Sequence, residues 1–393
     1  MRGPYCRSVA APPNHGTPKQ NAEWWKSLSA EERSAYLSVH PDTIGALNGL
    51  PADVRDEANR SILTEKRAQD QLELASIPSE PGNKYTYITS GGLATKVYTD
   101  EWVAWNNKYG DRRDQLTDAV KAMGQIQKRY DNYNGDSTTR PYLLGFDDKK
   151  LGHVIMSIGN PDTADNVATY VPGTGANLAE IDGAIHRAEQ LQTKAAATDP
   201  LHTTASIMWL GYDAPQDVMG DARDPKFADA AKDPLSDFLT GVDAAHGGNV
   251  NSTVIGHSYG SLVAGEALRD HPDIPVDNAI MVGSPGVGVN HAKDLNIPAD
   301  HVWAATAKND LINLAPPPAG FLAPLNPKEY MHLFDDHSIL YGNDPTSDDF
   351  GGQTFHVADG KLPGADGFMP AHSQYWEGES LANMATIATG GKP

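Results

Sequence analysis

The sequence predicts an α/β fold: a mostly parallel sheet with flanking helices, preceded by a helical N-terminal region. Three observations predict it. From about residue 140, short apolar runs alternate with helix-length stretches, the texture of strands joined by crossover helices. A Gly-x-Ser-x-Gly segment stands between one such run and one such stretch. Before residue 140 the apolar residues recur instead at steps of three and four, the helical period. At 393 residues the chain is long enough for one large domain and a smaller companion.

Residues 1–20, rich in Pro, Gly and polar side chains, predict a disordered lead-in. Residues 21–139 predict the helical region. Ser29 with Glu32 makes a capping box ahead of a helix over 31–39. Pro51 suits the first position of a second helix to about residue 74, because its missing N–H is not needed there. Asp100 suits the cap of a third, 101–133, whose stripe includes Trp102, Trp105, Leu116 and Met123. Residues 140–393 predict the sheet domain. Its strands are expected at 153–158, 167–171, 206–210, 253–255, 279–282, 302–306 and 354–357, and its helices at 177–196, 234–246, 259–270 and 376–388. Right-handed β-α-β connections leave few topologies open.

The strongest chemical signal is Gly256-His257-Ser258-Tyr259-Gly260, which follows a β-rich run and opens a helix. That context is the one a nucleophile elbow requires: a sharp strand-to-helix turn that lifts the serine hydroxyl above the sheet. Gly256 and Gly260 are needed where a side chain would collide with the neighbouring backbone. The turn also sets the Tyr259 N–H at a helix N-terminus, where partial positive charge favours a developing oxyanion. This pattern points to the α/β-hydrolase fold.

A serine hydroxyl needs a base to take its proton, and the base needs an orienting carboxylate. In this fold the chain order is Ser, then Asp or Glu, then His. Asp310 follows the strand expected at 302–306, on the strand-end loop where open α/β sheets build their sites. It is favoured over Asp277, Asp335, Asp336 and Asp344. His372 is the only histidine after the last expected strand; His257, His332, His337 and His356 are less well placed. The loop after the strand at 167–171, Pro172-Gly173-Thr174-Gly175-Ala176-Asn177, offers a second oxyanion donor from Thr174 or Gly175. A nucleotide loop is disfavoured there, since Leu178 stands where the third glycine of G-x-G-x-x-G belongs and no Walker A segment exists.

The set Tyr170-Val171-Pro172-Gly173-Thr174-Gly175, Trp209-Leu210-Gly211-Tyr212-Asp213, Gly256 to Ser261, Val282-Gly283-Ser284-Pro285-Gly286 and Ala371-His372-Ser373 resembles an α/β-hydrolase family of uncharacterised actinobacterial proteins, filed as a domain of unknown function. Trp24-Trp25-Lys26-Ser27-Leu28, Ile44-Gly45 and Leu50-Pro51 resemble the helical segment that precedes that domain. The resemblance implies Ser258, Asp310 and His372 as a triad and a hydrolase activity without an assigned substrate. It also implies more sequence upstream, so the first 20 residues read as a truncated or misassigned start.

The expected activity is that of a serine hydrolase, foremost a carboxylesterase or lipase-like enzyme working through an acyl-enzyme. A peptidase or amidase with the same triad, and a non-catalytic hydrolase-like binding or effector module, are the alternatives. The apolar, proline-stiffened stretch after Asp310, with Leu311, Leu314 and Phe321, reads equally as an acyl-binding wall or a buried connector. Asp213 and Ser284 read as turn residues rather than as pocket lining. The expected partner is a small-molecule or lipid ester. The net charge of −20 argues against nucleic acid. No metal-ligand spacing occurs and no cofactor is expected. The single cysteine, Cys6, excludes an intramolecular disulfide and a Cys-based site in the body of the chain. No apolar run is long enough to span a membrane, and the first residues lack the apolar core of a secretory signal. The default address is the cytoplasm, with non-classical secretion left open, and the oligomeric state is not legible.

Overall fold

The computed structural model describes residues 11–13, 16–217, 220–248, 250–310, 312, 338–362, 364 and 369–393. Helices α1 (Pro18–Ser27), α2 (Ala30–Val39), α3 (Pro41–Ala46) and α4 (Ala52–Ser76) come first. Capping boxes open α1 (Thr17 with Gln20) and α2 (Ser29 with Glu32). The Thr17 box, with Pro18 at the first helical position, starts a helix inside the stretch expected to be disordered; a local start signal outweighs the polar composition there. Trp25, Tyr36, Ile44, Leu50 and Ala58 bury together as a small core of these helices.

Two differences from the sequence reading follow. An antiparallel hairpin, β1 (Tyr85–Ser90) and β2 (Leu93–Tyr98), interrupts the helical region. Its two-residue turn is Gly91-Gly92, both at positive φ, the chemistry that a tight hairpin turn demands. Helix α5 (Asp100–Trp105) then runs through a π-helical turn at Asn106–Gly110 into α6 (Asp111–Asp131). Thr99, not Asp100, is its cap, accepting from the Trp102 N–H; Asp100 sits in the first turn, where its charge suits the helix dipole.

The second part is a sheet of eight strands flanked by helices. In chain order they are β3 (Pro141–Asp147), β4 (His153–Ile158), β5 (Asn166–Val171), helix α7 (Ile181–Thr198), β6 (Thr204–Leu210), helix α8 (Lys226–His246), β7 (Asn251–His257), helix α9 (Tyr259–Asp270) and β8 (Asn278–Val282). After a short strand β9 (Gly286–Val289) come β10 (Val302–Ala305), β11 (Ser338–Ile339), β12 (Tyr341–Asn343), β13 (Gln353–Thr354) and helix α10 (Gly378–Ala388). The spatial order is β3-β4-β6-β5-β7-β8-β10-β13, while β9, β11 and β12 make a separate small sheet. Among the described residues only β4 runs against its neighbours in the large sheet. Strands β5 to β8 are buried without alternation, because α7 and α10 cover one face and α8 and α9 the other. Helix α8 starts a full two turns before the expected position and passes through Pro234. Its stripe Ala228, Ala231, Leu235, Phe238, Leu239 and Val242 holds it against the core across the lost hydrogen bond.

The N-terminal helices also close the open edge of the sheet. A bare edge strand presents unpaired N–H and C=O groups. On α4, Asp56 accepts from the Leu143 N–H of β3 at 2.9 Å, and Asn59 donates to the Leu143 carbonyl at 3.0 Å. Spaced three apart on one helix face, these side chains bond the edge as a further strand would. Burial raises the Asp56 pKa, opposed by its bonds from Leu143 and Tyr130 and by Arg60 and Arg140.

Candidate active site

The order of strands reverses beside β5: α7 and β6 lie to one side of it, β7 to the other. Ligand crevices of open α/β sheets form at such a switch point, outside the C-terminal ends of the strands. Ser258 sits there, between β7 and α9, with φ 55° and ψ −132°. Positive φ on a residue with a side chain is strained and persists only where the surroundings impose it. They do so here. The Ser258 N–H donates to the Val282 carbonyl at 3.0 Å, and its own carbonyl accepts from the Ser261 N–H at 2.9 Å and the Ser261 hydroxyl at 2.6 Å. A Cβ at Gly256 would stand 2.4 Å from the Ser261 Cα, and one at Gly260 would stand 2.1 Å from the Val171 carbonyl oxygen. Helix α9 crosses both strands at backbone contact, which is why the two positions flanking the serine are glycine.

Asp310 lies just past β10, in a turn closed by its N–H to the Ala307 carbonyl. It is almost wholly buried. Its Oδ2 accepts from His372 Nδ1 at 2.8 Å and from the Tyr375 hydroxyl at 2.7 Å, and its Oδ1 accepts from the Ile312 N–H at 3.0 Å. Burial pushes the carboxyl pKa up, but the bond and charge of His372, with Tyr375 and Ile312, outweigh it and hold the group below the usual carboxylate value. Asp277 caps the Ser252 N–H at the opposite end of the sheet, and Asp344 binds within its own turn at Thr346. Asp335, Asp336, His332 and His337 lie outside the described residues. His356 is exposed and paired with Glu379.

His372 sits on a 3-10 turn, Ala371–Trp376. With Asp310 as acceptor, Nδ1 carries the proton and Nε2 carries the lone pair. The ring lines the same cavity as Ser258. Three residues that sequence reasoning did not single out for this site hold the pair. Tyr375, one 3-10 turn beyond His372, donates to Asp310 and accepts from the Ala307 N–H at 2.9 Å. His257, read as structural, donates from Nε2 to the His372 carbonyl at 2.7 Å. Burial, then the neighbouring His372 and the charge of Arg187, drive the His257 pKa well below its ordinary value, so the ring is neutral. Gly283, at φ 55°, leaves the room the pair occupies: a Cβ there would stand 3.0 Å from Asp310 Oδ2 and 3.1 Å from His372 Cε1. The i, i+3 spacing of His372 and Tyr375 was the one available signal for Tyr375.

The loop after β5 passes directly over the elbow. A Cβ at Gly173 would stand 2.7 Å from the Ser258 Cβ and 2.8 Å from the Tyr259 N. The N–H groups of Tyr259 and Thr174 meet no acceptor among the described residues. Gly175 differs from expectation: its N–H donates to the Pro215 carbonyl at 2.8 Å, so it serves the loop and is not free to bind an oxyanion. The Tyr259 phenol points away, donating to the Asp224 carbonyl at 2.6 Å.

The cavity over Ser258 measures about 370 Å³. Ile312, Leu340, Met369 and Pro285 give it apolar walls, and Arg187 and Glu180 bring charge. Leu311, Leu314 and Phe321 lie outside the described residues. Asp213 is bonded to Lys150 and His153, away from the cavity, and Ser284 is buried beneath the elbow against the Ser261 hydroxyl. Among the described residues no cluster of His, Cys, Asp or Glu is arranged to hold a metal, and no helix is long and apolar enough to cross a membrane.

Residues 147–320 match a family model described as Alpha/beta hydrolase. The chain is 30% identical over 396 residues to the uncharacterized protein Rv2079 of Mycobacterium tuberculosis, covering 96% of this chain and 56% of that protein. It is 33% identical over 165 residues to the uncharacterized protein Rv0963c of the same organism, covering 39% of this chain and 60% of that protein. The chain thus spans a little over half the length of these curated relatives. Among solved structures, LpqC, a poly(3-hydroxybutyrate) depolymerase from Bordetella parapertussis, is similar with a TM-score of 0.36 and 13% identity over 64% of this chain and 89% of that one. The strand order and the family match agree, and this chain is an α/β-hydrolase-fold protein.

Proposed function

We propose that the protein is a serine carboxylester hydrolase acting through an acyl-enzyme, with Ser258, His372 and Asp310 as its triad. One observation carries the reading: the imidazole bonded through Nδ1 to buried Asp310 and the hydroxyl raised on a strained elbow share one cavity at the switch point of the sheet. The mycobacterial relatives also support assigning the chain to the actinobacterial family that its motifs resemble.

In the reaction, His372 Nε2 takes the Ser258 proton as Oγ bonds to the ester carbonyl carbon. The carbonyl oxygen becomes an oxyanion, met by the Tyr259 and Thr174 N–H groups. As the carbon–alkoxy bond breaks, the imidazolium returns its proton to the leaving alcohol. Water then gives a proton to His372 and its oxygen to the acyl carbon. As the carbon–Oγ bond breaks, the imidazolium passes that proton to Oγ, releasing the acid and restoring the serine. Asp310 stays ionised throughout, fixing the tautomer and stabilising the imidazolium. The largely apolar cavity walls favour an ester over a more polar acyl donor.

The test is Ser258→Ala in the purified chain. Turnover of an activated ester such as p-nitrophenyl butyrate should fall about ten-thousand-fold or more, and fluorophosphonate labelling at residue 258 should vanish, with melting unchanged. A variant that turns over at the wild-type rate overturns the triad. Turnover of anilides in preference to esters moves the reading to an amidase.

A further inference from the structure

One wall of the Ser258 cavity is formed by the start of α7. Glu180, Gly183, Ala184 and Arg187 line it, spaced at three and four residues so that they share a helix face. Arg187 is the only Arg or Lys on the cavity wall among the described residues. In a chain with 51 Asp and Glu against 31 Lys and Arg, cations find carboxylate partners easily. Arg187 has none among the described residues. The acidic residues nearest it on its own helix, Asp182 and Glu189, both pair with Arg129 instead.

The guanidinium is nevertheless held. One N–H donates to the Tyr170 hydroxyl at 2.9 Å, and Tyr170 is fully buried, packed on Trp376 with ring centroids 4.3 Å apart. That bond fixes the side chain from beneath and leaves most of its N–H fork unspent. Its charge is felt at the elbow, where it adds to burial and to His372 in keeping His257 neutral. Beside it, Gly183 leaves the wall bare: a Cβ there would meet nothing within 4 Å. A glycine inside a helix is less favourable than alanine, and here it leaves space open next to an anchored, unneutralised cation.

We propose that the cavity takes esters bearing a carboxylate at a distance from the scissile carbonyl, and that Arg187 binds this carboxylate. The proposal rests on the hydrolase reading above and names its substrate class. A single Arg, with Glu180 exposed on the same wall, suits a singly charged carboxylate better than a phosphate. Arg187 takes no part in bond making; it holds the anionic end while Ser258 attacks the other.

The experiment compares p-nitrophenyl monoesters of succinate, glutarate and adipate with neutral p-nitrophenyl esters of matched chain length, on the full chain. For at least one length the anionic ester should have the higher kcat/KM. Arg187→Gln should lower the anionic-to-neutral ratio about tenfold or more, mainly through KM, and Arg187→Lys should keep most of it. A ratio unmoved by Arg187→Gln, or equal losses on both esters, overturns the proposal. Should Arg187→Gln not fold, the wild-type chain answers by protection: glutarate should slow fluorophosphonate labelling more than its neutral dimethyl ester does, and equal protection overturns the assignment. Labelled Ser258 and neutral-ester turnover with an unmoved ratio defeat the carboxylate site alone. Absence of both labelling and turnover defeats the hydrolase reading with it.

Discussion

The two sides of the site are built by different means. On the serine side nearly everything is backbone: a strained φ at Ser258, carbonyl and N–H bonds to Val282 and Ser261, and glycines at 173, 256 and 260 that let three chain segments touch. On the acid–base side nearly everything is side chain: Asp310 held by His372, Tyr375 and the Ile312 N–H, and His372 held through its carbonyl by His257. Backbone constraints here leave no room for a Cβ and admit no substitute for glycine. Side-chain constraints join residues 62, 65 and 115 positions apart and tolerate several chemistries. A substitution on the serine side should therefore break geometry outright, whereas one on the acid–base side should detune it.

Gly173→Ala tests the serine side. Its new Cβ would lie 2.8 Å from the Tyr259 N and 2.7 Å from the Ser258 Cβ, against the elbow itself. Neither neighbour is the free end of a flexible chain, so the loop must lift or the Tyr259 N–H must be covered. Loss of one oxyanion donor lowers kcat by about a hundredfold to a thousandfold. Steady-state kinetics on p-nitrophenyl butyrate, with a melting curve to show retained fold, measure it. A variant within threefold of wild type would mean that the loop has room the contacts deny.

The same contrast sets what the sequence could disclose. The elbow is legible because its requirement is local: five residues between a β-rich run and a helix carry the pattern. The strands β4 to β8 and β10 are legible as apolar runs, whereas the strand expected at 354–357 is only Gln353–Thr354. The β1–β2 hairpin and the small sheet of β9, β11 and β12 are not legible. Nor is β3, whose edge is completed by Asp56 and Asn59 from a helix some 85 residues earlier. Asp310 and His372 were singled out by chain order, a property of topology rather than of pattern. Nothing in the letters around them points to the His257–His372 contact or to the space kept by Gly283. The Gly175 reading went astray for a similar reason: the sequence offered two adjacent N–H groups, and only folding brings the Pro215 carbonyl to one of them.

Tyr375→Phe tests the acid–base side. The change removes one donor from the Asp310 carboxylate and leaves the buried Ala307 N–H without its acceptor. A hydrogen bond to a charged group contributes about 1.5 kcal/mol or more, so kcat should fall about tenfold, with stability lower by about 1–3 kcal/mol from the unpaired N–H. KM should stay near its wild-type value, since Tyr375 touches Asp310 and not the cavity. A rise in KM with kcat intact would show that the tyrosine shapes substrate binding rather than the orientation of the acid.

The smallest effect is the most diagnostic of how His372 is held. His257 is buried and neutral, with its folded pKa well below the ordinary 6.5, and Nε2 carries the proton given to the His372 carbonyl. Below about pH 6.5 the unfolded chain takes up a proton at this ring that the folded chain does not. Stability from this group is therefore complete above pH 6.5 and declines as pH falls from there toward the folded pKa. The loss cannot exceed about 1.36 kcal/mol for each pH unit below the unfolded value, the scale of one proton. His257→Gln keeps an amide donor for the carbonyl but cannot titrate. The variant should lose less stability than wild type between pH 7.5 and pH 5.5 in paired urea titrations. Taking the difference cancels the other groups that titrate nearby, His153 among them, whose raised pKa works in the opposite direction. Asp310 does not enter this window: with its pKa lowered, its contribution is fully present above the usual aspartate range and is lost only as pH falls below it. Equal pH slopes in variant and wild type would mean that His257 can protonate in place, and that the His372 carbonyl does not depend on a neutral ring to hold it.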